Sequence, residues 1–289
     1  MASKTSAVAG DDPIEVLFAL HHKFNLVDFA GPLQILTSAL NDAEDSTSKA
    51  FEVTIASGEA NVLSEQGVII GSQCNWKEAY ERLNDFDVVV VVGGNTQEVL
   101  DKKEEPLSLI SAYAELQKND PSRERTLLSV CTGSLFLAQQ GLLSGLSATT
   151  HPDYITKIEN MCSQNVVRGL GDHTDIIDDA RYVVNNLRFE LGDEDENPYI
   201  RRKSDARRPS NARKGSISFK SSSRRESIAR RAAMRLGGLR VITSGGVAAG
   251  MDAALYLVSI LVSEEAANEV ARDMQLTWTK GVVVDGLDV

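Results

Sequence analysis

No apolar run in this sequence approaches the ~20 residues needed to span a bilayer, so nothing in it reads as a membrane protein. The first twelve residues, Met1 to Asp12, lack the hydrophobic stretch of a secretion signal and read as a loose tail; the chain is expected in the cytoplasm. Cysteine is scarce: Cys74, Cys131 and Cys162 are odd in number and far apart, which fits neither a disulfide framework nor zinc-ligand spacing. Free thiols and no metal site are expected. Cations are scarce too, outside one segment. Residues 188–238 hold 14 Lys and Arg against 7 Asp and Glu, and the rest of the chain holds 16 against 34. A body this acidic argues against a nucleic-acid-binding core, because neutralising phosphates takes clustered cations.

What the chain does contain is an alternation of short apolar runs and helical spacing. Ile14 to Leu20, Phe51 to Ser57, Asp87 to Gly94, Ser147 to His151, Ala180 to Asn186 and Leu239 to Gly246 read as strands, with Val68 to Ile70 pairing beside the second. Helices are expected over Phe24 to Leu36, Trp76 to Leu83, Pro106 to Gln117, Asp153 to Asn160, Ala248 to Leu261 and Glu264 to Thr279. Alternation of this kind builds an α/β fold, a mostly parallel sheet sandwiched by helices, over 13–280 with a short tail at 281–289. His21 and His22 are expected to face solvent.

The stretch Arg125 to Leu143 organises the rest. A buried strand ends at Cys131 and turns at once into a helix through Thr132-Gly133-Ser134. A residue at such a junction projects into the crevice beyond the strand's carboxyl end and faces the helix's free N–H groups. A thiol there is either a packed structural cysteine or a nucleophile whose thiolate the helix dipole favours, and the small residues of the turn support the second reading. Gly93-Gly94, ending the Val88–Val92 run, is either an ordinary turn or a second source of anion-stabilising amides. Asp28 stands among Leu26, Val27 and Phe29 as a helix-start acid. His151 is a core histidine or a neighbour of the thiol.

From Leu187 the pattern breaks into Arg- and Ser-rich sequence, expected to be a disordered surface insertion over 187–238. Removing it would join Asn185-Asn186 to Leu239 as a tight hairpin. Arg201-Arg202-Lys203-Ser204 and Arg224-Arg225-Glu226-Ser227 match sites for basophilic kinases at Ser204 and Ser227, with Ser210 and Ser216 weaker; the alternative is a plain solvated linker. Ser223 to Leu236 could form a basic helix. Its charge leaves nuclear access open.

The blocks Leu26-Val27-Asp28-Phe29-Ala30-Gly31-Pro32, Val92-Gly93-Gly94, Ser129-Val130-Cys131-Thr132-Gly133-Ser134, Ala148-Thr149-Thr150-His151 and Thr243-Ser244-Gly245-Gly246 onward to Asp252 occur in an order that resembles the ThiJ/PfpI superfamily. These are flavodoxin-like, class I glutamine amidotransferase-like folds, and the closest branch is the isocyanide (isonitrile) hydratases. The resemblance implies a homodimer without cofactor that acts on a small-molecule substrate. It makes Cys131 the nucleophile, Asp28 its acid and Thr132 the residue beside it. The amides of Gly94 and Thr132 become an oxyanion-type site, with Gly93, His151, Gly245 and Gly246 around the pocket. The implied activity is hydration of an isocyanide to an N-substituted formamide; the alternatives are a redox-sensing or protective protein and a glyoxalase-like enzyme. Thr132 stands where peptidase-like members place a histidine, which excludes a protease dyad of adjacent residues. No helix-turn-helix domain is read after residue 280, against a transcription regulator.

Overall fold

Along Ile14–Ala19 (β1), Val16 and Phe18 face one side while Leu17 and Ala19 face the other, and all four are buried. A strand apolar on both faces belongs in the middle of a sheet covered on both sides. The computed structural model, which describes residues 13–120, 123–169, 172–187 and 238–284, places it there. Beside β1 run Phe51–Ala56 (β2) and Val88–Val91 (β5), then Arg125–Ser129 (β6) and Leu239–Ser244 (β10), all parallel. Tyr182–Leu187 (β9) is antiparallel to β10, and Val282–Val284 (β11) runs parallel to β9 at the edge. The order is β11-β9-β10-β6-β5-β1-β2.

The helices are Leu26–Ser38 (α1), Trp76–Glu81 (α2), Thr96–Lys102 (α3), Leu107–Asn119 (α4), Ser134–Gln139 (α5), Ile155–Val167 (α6), Val247–Leu261 (α7) and Glu264–Asp273 (α8). The first and the last two cover the Val16 face; the other five cover the Leu17 face. Among the described residues no helix is long and apolar enough to cross a membrane.

Several expectations need correction. Ile69–Gly71 (β4) does not pair beside β2. It pairs antiparallel with Asn61–Leu63 (β3) as a separate ribbon. Asn185 and Asn186 are not a turn but lie within β9, opposite Val241 and Arg240. Asn185 is buried because its side-chain amide makes both hydrogen bonds to the Ser147 backbone, at 3.1 and 2.6 Å, satisfying a polar group inside the core. Ser147–Ala148 (β7) pairs with Asp175–Ile176 (β8), a partner with no pattern of its own. Residues 282–284, expected as tail, form β11, and α8 stops at Asp273 rather than reaching Thr279. His21 is buried, with its ring edge-on to Phe136 at 5.3 Å, while His22 is exposed as expected.

The arms of the hairpin around the insertion are as expected, with Leu187 opposite Leu239. Leu239 also pairs with Arg125, at the start of β6. The chain therefore leaves for the insertion at the end of the sheet opposite Cys131, roughly 15–20 Å away at ~3.3 Å per strand residue. Ser204, Ser210, Ser216 and Ser227, and the helix expected over Ser223 to Leu236, lie outside the described residues.

Candidate active site

Three neighbouring strand ends supply the site. The loop after β1 enters α1, whose N-cap is Asn25; its Oδ1 accepts from the Val27 amide at 3.2 Å, and Gln66 Oε1 accepts from the Leu26 amide at 2.8 Å. The cap is thus already filled, so Asp28 is not needed there. It sits in the first turn, fully buried, and neither of its oxygens completes an aligned hydrogen bond. A buried carboxyl without firm donors resists ionisation. Burial pushes Asp28 up to about 6, with the charge of Glu65 adding to the rise, while the Cys131 thiol and the Gly93 amide draw it part of the way back.

After β6 the chain turns at Cys131 with φ +57, a left-handed conformation costly for a side chain other than glycine. Direct bonds hold it there. Its amide donates to Gly245 O at 3.0 Å, and its carbonyl accepts from Thr150 Oγ1 at 3.2 Å and Ser134 Oγ at 3.1 Å. Only 6% of the residue is exposed, so the sulfur admits a small ligand at most.

The end of β5 closes the site. A Cβ on Gly93 would stand 2.7 Å from Thr132 Oγ1, 2.8 Å from Asp28 Oδ2 and 2.9 Å from the Thr132 amide nitrogen. Asp28 and Thr132 thus converge on one bare backbone position that any side chain would pry apart. Gly94, at φ +126, is pressed against Lys23 and Asn25, where a Cβ would come within 2.4 Å of Lys23 O. Its amide donates to Thr132 Oγ1 at 3.3 Å. The Gly94 amide therefore does not stand open as an oxyanion donor. It orients the Thr132 hydroxyl, and Thr132, through its amide and its hydroxyl, draws the Cys131 pKa down.

The expectation of a thiolate drawn out by a helix dipole is not met. Burial first, and then the charge of Asp28, push the Cys131 thiol up to about 12, against the pull of Thr132. The opposing helix dipole is weak: a 3-10 turn, Cys131–Gly133, precedes α5, and α5 itself has six residues. At neutral pH the proton stays on sulfur and Asp28 carries the charge.

Of the residues expected here, the structure brings together Cys131, Asp28, Thr132, Gly93, Gly94 and Gly245. Gly246 and His151 lie at the rim against each other, with His151 Cδ2 at 3.3 Å from where a Gly246 Cβ would stand. His151 is half-buried and not a core residue; its Nδ1 accepts from the Asp153 amide at 3.2 Å. Thr150, Glu65 and Gln66 also shape the site. Thr150 lay within a recognised block, but the ribbon residues carried no local signal, since only the folded β3–β4 turn brings them to α1. A groove of about 570 Å³ opens elsewhere, between the C-terminal half of α1 and β2, lined by Gln34, Thr37, Lys49 and Phe51; it takes no part in the site.

The model of the DJ-1/PfpI family matches residues 14–184. An isonitrile hydratase from Pseudomonas putida is 30% identical over 141 residues, 49% of this chain and 54% of that protein. A Streptomyces lividans protein named only for its position in the cpoL 5' region is 27% identical over 151 residues, 52% of this chain and 96% of the relative. Among solved structures, Drosophila melanogaster DJ-1beta aligns with a TM-score of 0.57 at 18% identity, over 92% of this chain and 100% of its own. A ThiJ/PfpI family protein from Pseudomonas syringae aligns at 0.56 and 17%, over 91% and 75%. At those identities the structural likeness speaks for the fold alone.

Proposed function

Because this chain belongs to the DJ-1/PfpI family, we propose that Cys131 and Asp28 together hydrate an isocyanide to an N-substituted formamide. The observation that carries the reading is the pairing of a protonated, nearly enclosed thiol with a buried carboxyl whose pKa is about 6. The likeness to an isonitrile hydratase over half of the chain supports it.

In this reading the Cys131 sulfur bonds to the electrophilic terminal carbon of R–N≡C while its proton passes to the Asp28 carboxylate. Asp28 delivers that proton to the same carbon, giving the thioimidate R–N=CH–S–Cys131. Water then adds across C=N: its oxygen bonds to the carbon, and the proton it gives up to Asp28 is passed on by Asp28 to the nitrogen. Collapse of the adduct breaks the C–S bond and releases R–NH–CHO, and the thiol regains its proton. No electrons leave the system. Thr132 steadies the sulfur whenever negative charge develops on it.

The raised thiol pKa weighs against a redox sensor, because oxidation proceeds through the thiolate. The test is to incubate the purified protein with an aryl isocyanide and follow the formamide by NMR, in wild type and Cys131→Ser. Formamide from wild type alone supports the reading. If wild type makes none, but consumes methylglyoxal, the glyoxalase alternative replaces it.

A further inference from the structure

The elements flanking Cys131 carry a group that the proposed reaction does not use. In the sheet, β6 lies between β5 and β10. The end of β5 leads through Gly94 into α3, where Gln97 Oε1 accepts a hydrogen bond from Lys157 Nζ of α6. Lys157 Nζ lies 5.6 Å from the centre of the Tyr154 ring, and that ring meets the ring of His151 edge-on at 6.0 Å. His151 rests against Gly246, at the end of β10. These contacts make a continuous arc between the two strand ends on either side of Cys131.

The cation in this arc is not neutralised. Lys77, Lys102, Lys118 and Lys280 each meet a carboxylate. Half-buried Lys157 is held instead by a neutral amide and an aromatic face, and among the described residues no carboxylate stands within ion-pairing distance of it. The Gln97 side chain keeps Asp101 apart, because its Nε2 donates to Asp101 Oδ1 at 2.6 Å while its Oε1 faces Lys157. Desolvation draws the Lys157 amine's pKa down, and the charge of Asp101 opposes this. An ammonium that has lost part of its water and has no counter-ion gains more from an anionic ligand than a solvated one does.

We propose that Lys157, with Tyr154 and His151, forms a subsite for a negatively charged substituent on whatever reacts at Cys131, so that the substrate class is a small isocyanide bearing a carboxylate. The isocyano part of this statement rests on the hydratase reading; the charge preference does not. The experiment uses the full chain as wild type, Lys157→Met and Lys157→Arg. Two reagent pairs of matched size are compared: isocyanoacetate with its methyl ester for turnover, and iodoacetate with iodoacetamide for alkylation of Cys131. The readout is the anionic-to-neutral rate ratio, which cancels any general loss of folded protein. Lys157→Met is expected to lower both ratios about tenfold, the scale of one charge-assisted hydrogen bond, and Lys157→Arg to restore most of the loss. An alkylation ratio within twofold of wild type in Lys157→Met overturns the subsite, whatever the isocyanides do. Failure of both isocyanides to turn over, with the alkylation ratio still falling, overturns the hydratase reading and leaves the subsite standing.

Discussion

The Asp28 carboxyl is buried beside the Cys131 thiol, although one residue belongs to the first turn of α1 and the other to the turn after β6. Each sets the other's proton. The thiol helps to hold Asp28 ionised, and the ionised Asp28 keeps the proton on sulfur. Between about pH 6 and 12 the pair carries a single negative charge, placed on the carboxylate, where the proposed hydration calls for a base.

Isocyanide hydration should follow that charge. With Asp28 as base, kcat/KM is expected to be flat above pH 7 and to fall about tenfold per pH unit below the Asp28 pKa of about 6. A pH–rate profile between 4.5 and 9 checks this; a rise that began only above pH 8 would instead mean that a preformed thiolate is the active species.

Asp28→Asn should lose activity and gain stability. A carboxyl whose pKa rises from 3.8 to about 6 on folding is stabilising when protonated, and that advantage is lost as pH climbs through 6. At pH 7 the neutral amide should therefore add up to roughly 2–3 kcal/mol, a rise in Tm of ~5 °C, while turnover falls at least a hundredfold. Calorimetry at pH 7 beside the formamide assay tests both halves.

Gly93→Ala should separate catalysis from folding. Its methyl would stand 2.7 Å from Thr132 Oγ1 and 2.8 Å from Asp28 Oδ2, displacing both from the sulfur. Such shifts near 1 Å cost about 100-fold in rate, against about 1–3 kcal/mol in stability. Activity assays on variant protein shown by circular dichroism to be folded give the answer; near-normal turnover would mean that the arrangement around Gly93 does not matter.

His21 should set the acid sensitivity that Asp28 partly hides. Burial, with the charge of His22, lowers its pKa from 6.5 to about 4, so the unfolded chain binds a proton that the folded chain refuses. Stability is then lost as pH falls from about 6.5 to 4, and over nearly the same window protonation of Asp28 acts in the opposite sense. His21→Phe keeps an aromatic ring near Phe136 and should be more stable relative to wild type at pH 4.5 than at pH 8; Asp28→Asn should be the more acid-sensitive variant. Urea midpoints at the two pH values decide.

Removing residues 188–237 and closing the hairpin with a short glycine-containing turn should leave kcat/KM within twofold of wild type. Leu187 already stands opposite Leu239, and the junction lies at the far end of β6 from Cys131. A loss of more than tenfold with the fold intact would show that the segment acts on the site across the sheet.

Residue order alone determined the parallel core, because runs such as Val88–Val91 are apolar on both faces and only a doubly covered sheet accepts them. It also pointed to the candidate nucleophile, because a strand that breaks into Thr-Gly-Ser after a cysteine favours that reading over a packed structural thiol. It misplaced the β4 segment beside β2, took residues 282–284 for tail and put His21 in solvent. Short segments such as Val282–Val284 become strands only when a longer neighbour offers an edge, and a histidine is buried or exposed according to what the fold lays over it. The protonation of Cys131 belongs to the tertiary structure as well. A helix start predicts a lowered thiol pKa, but the cost of ionising a group depends on all the charge and all the water around it, and the carboxyl of Asp28 arrives there only through folding.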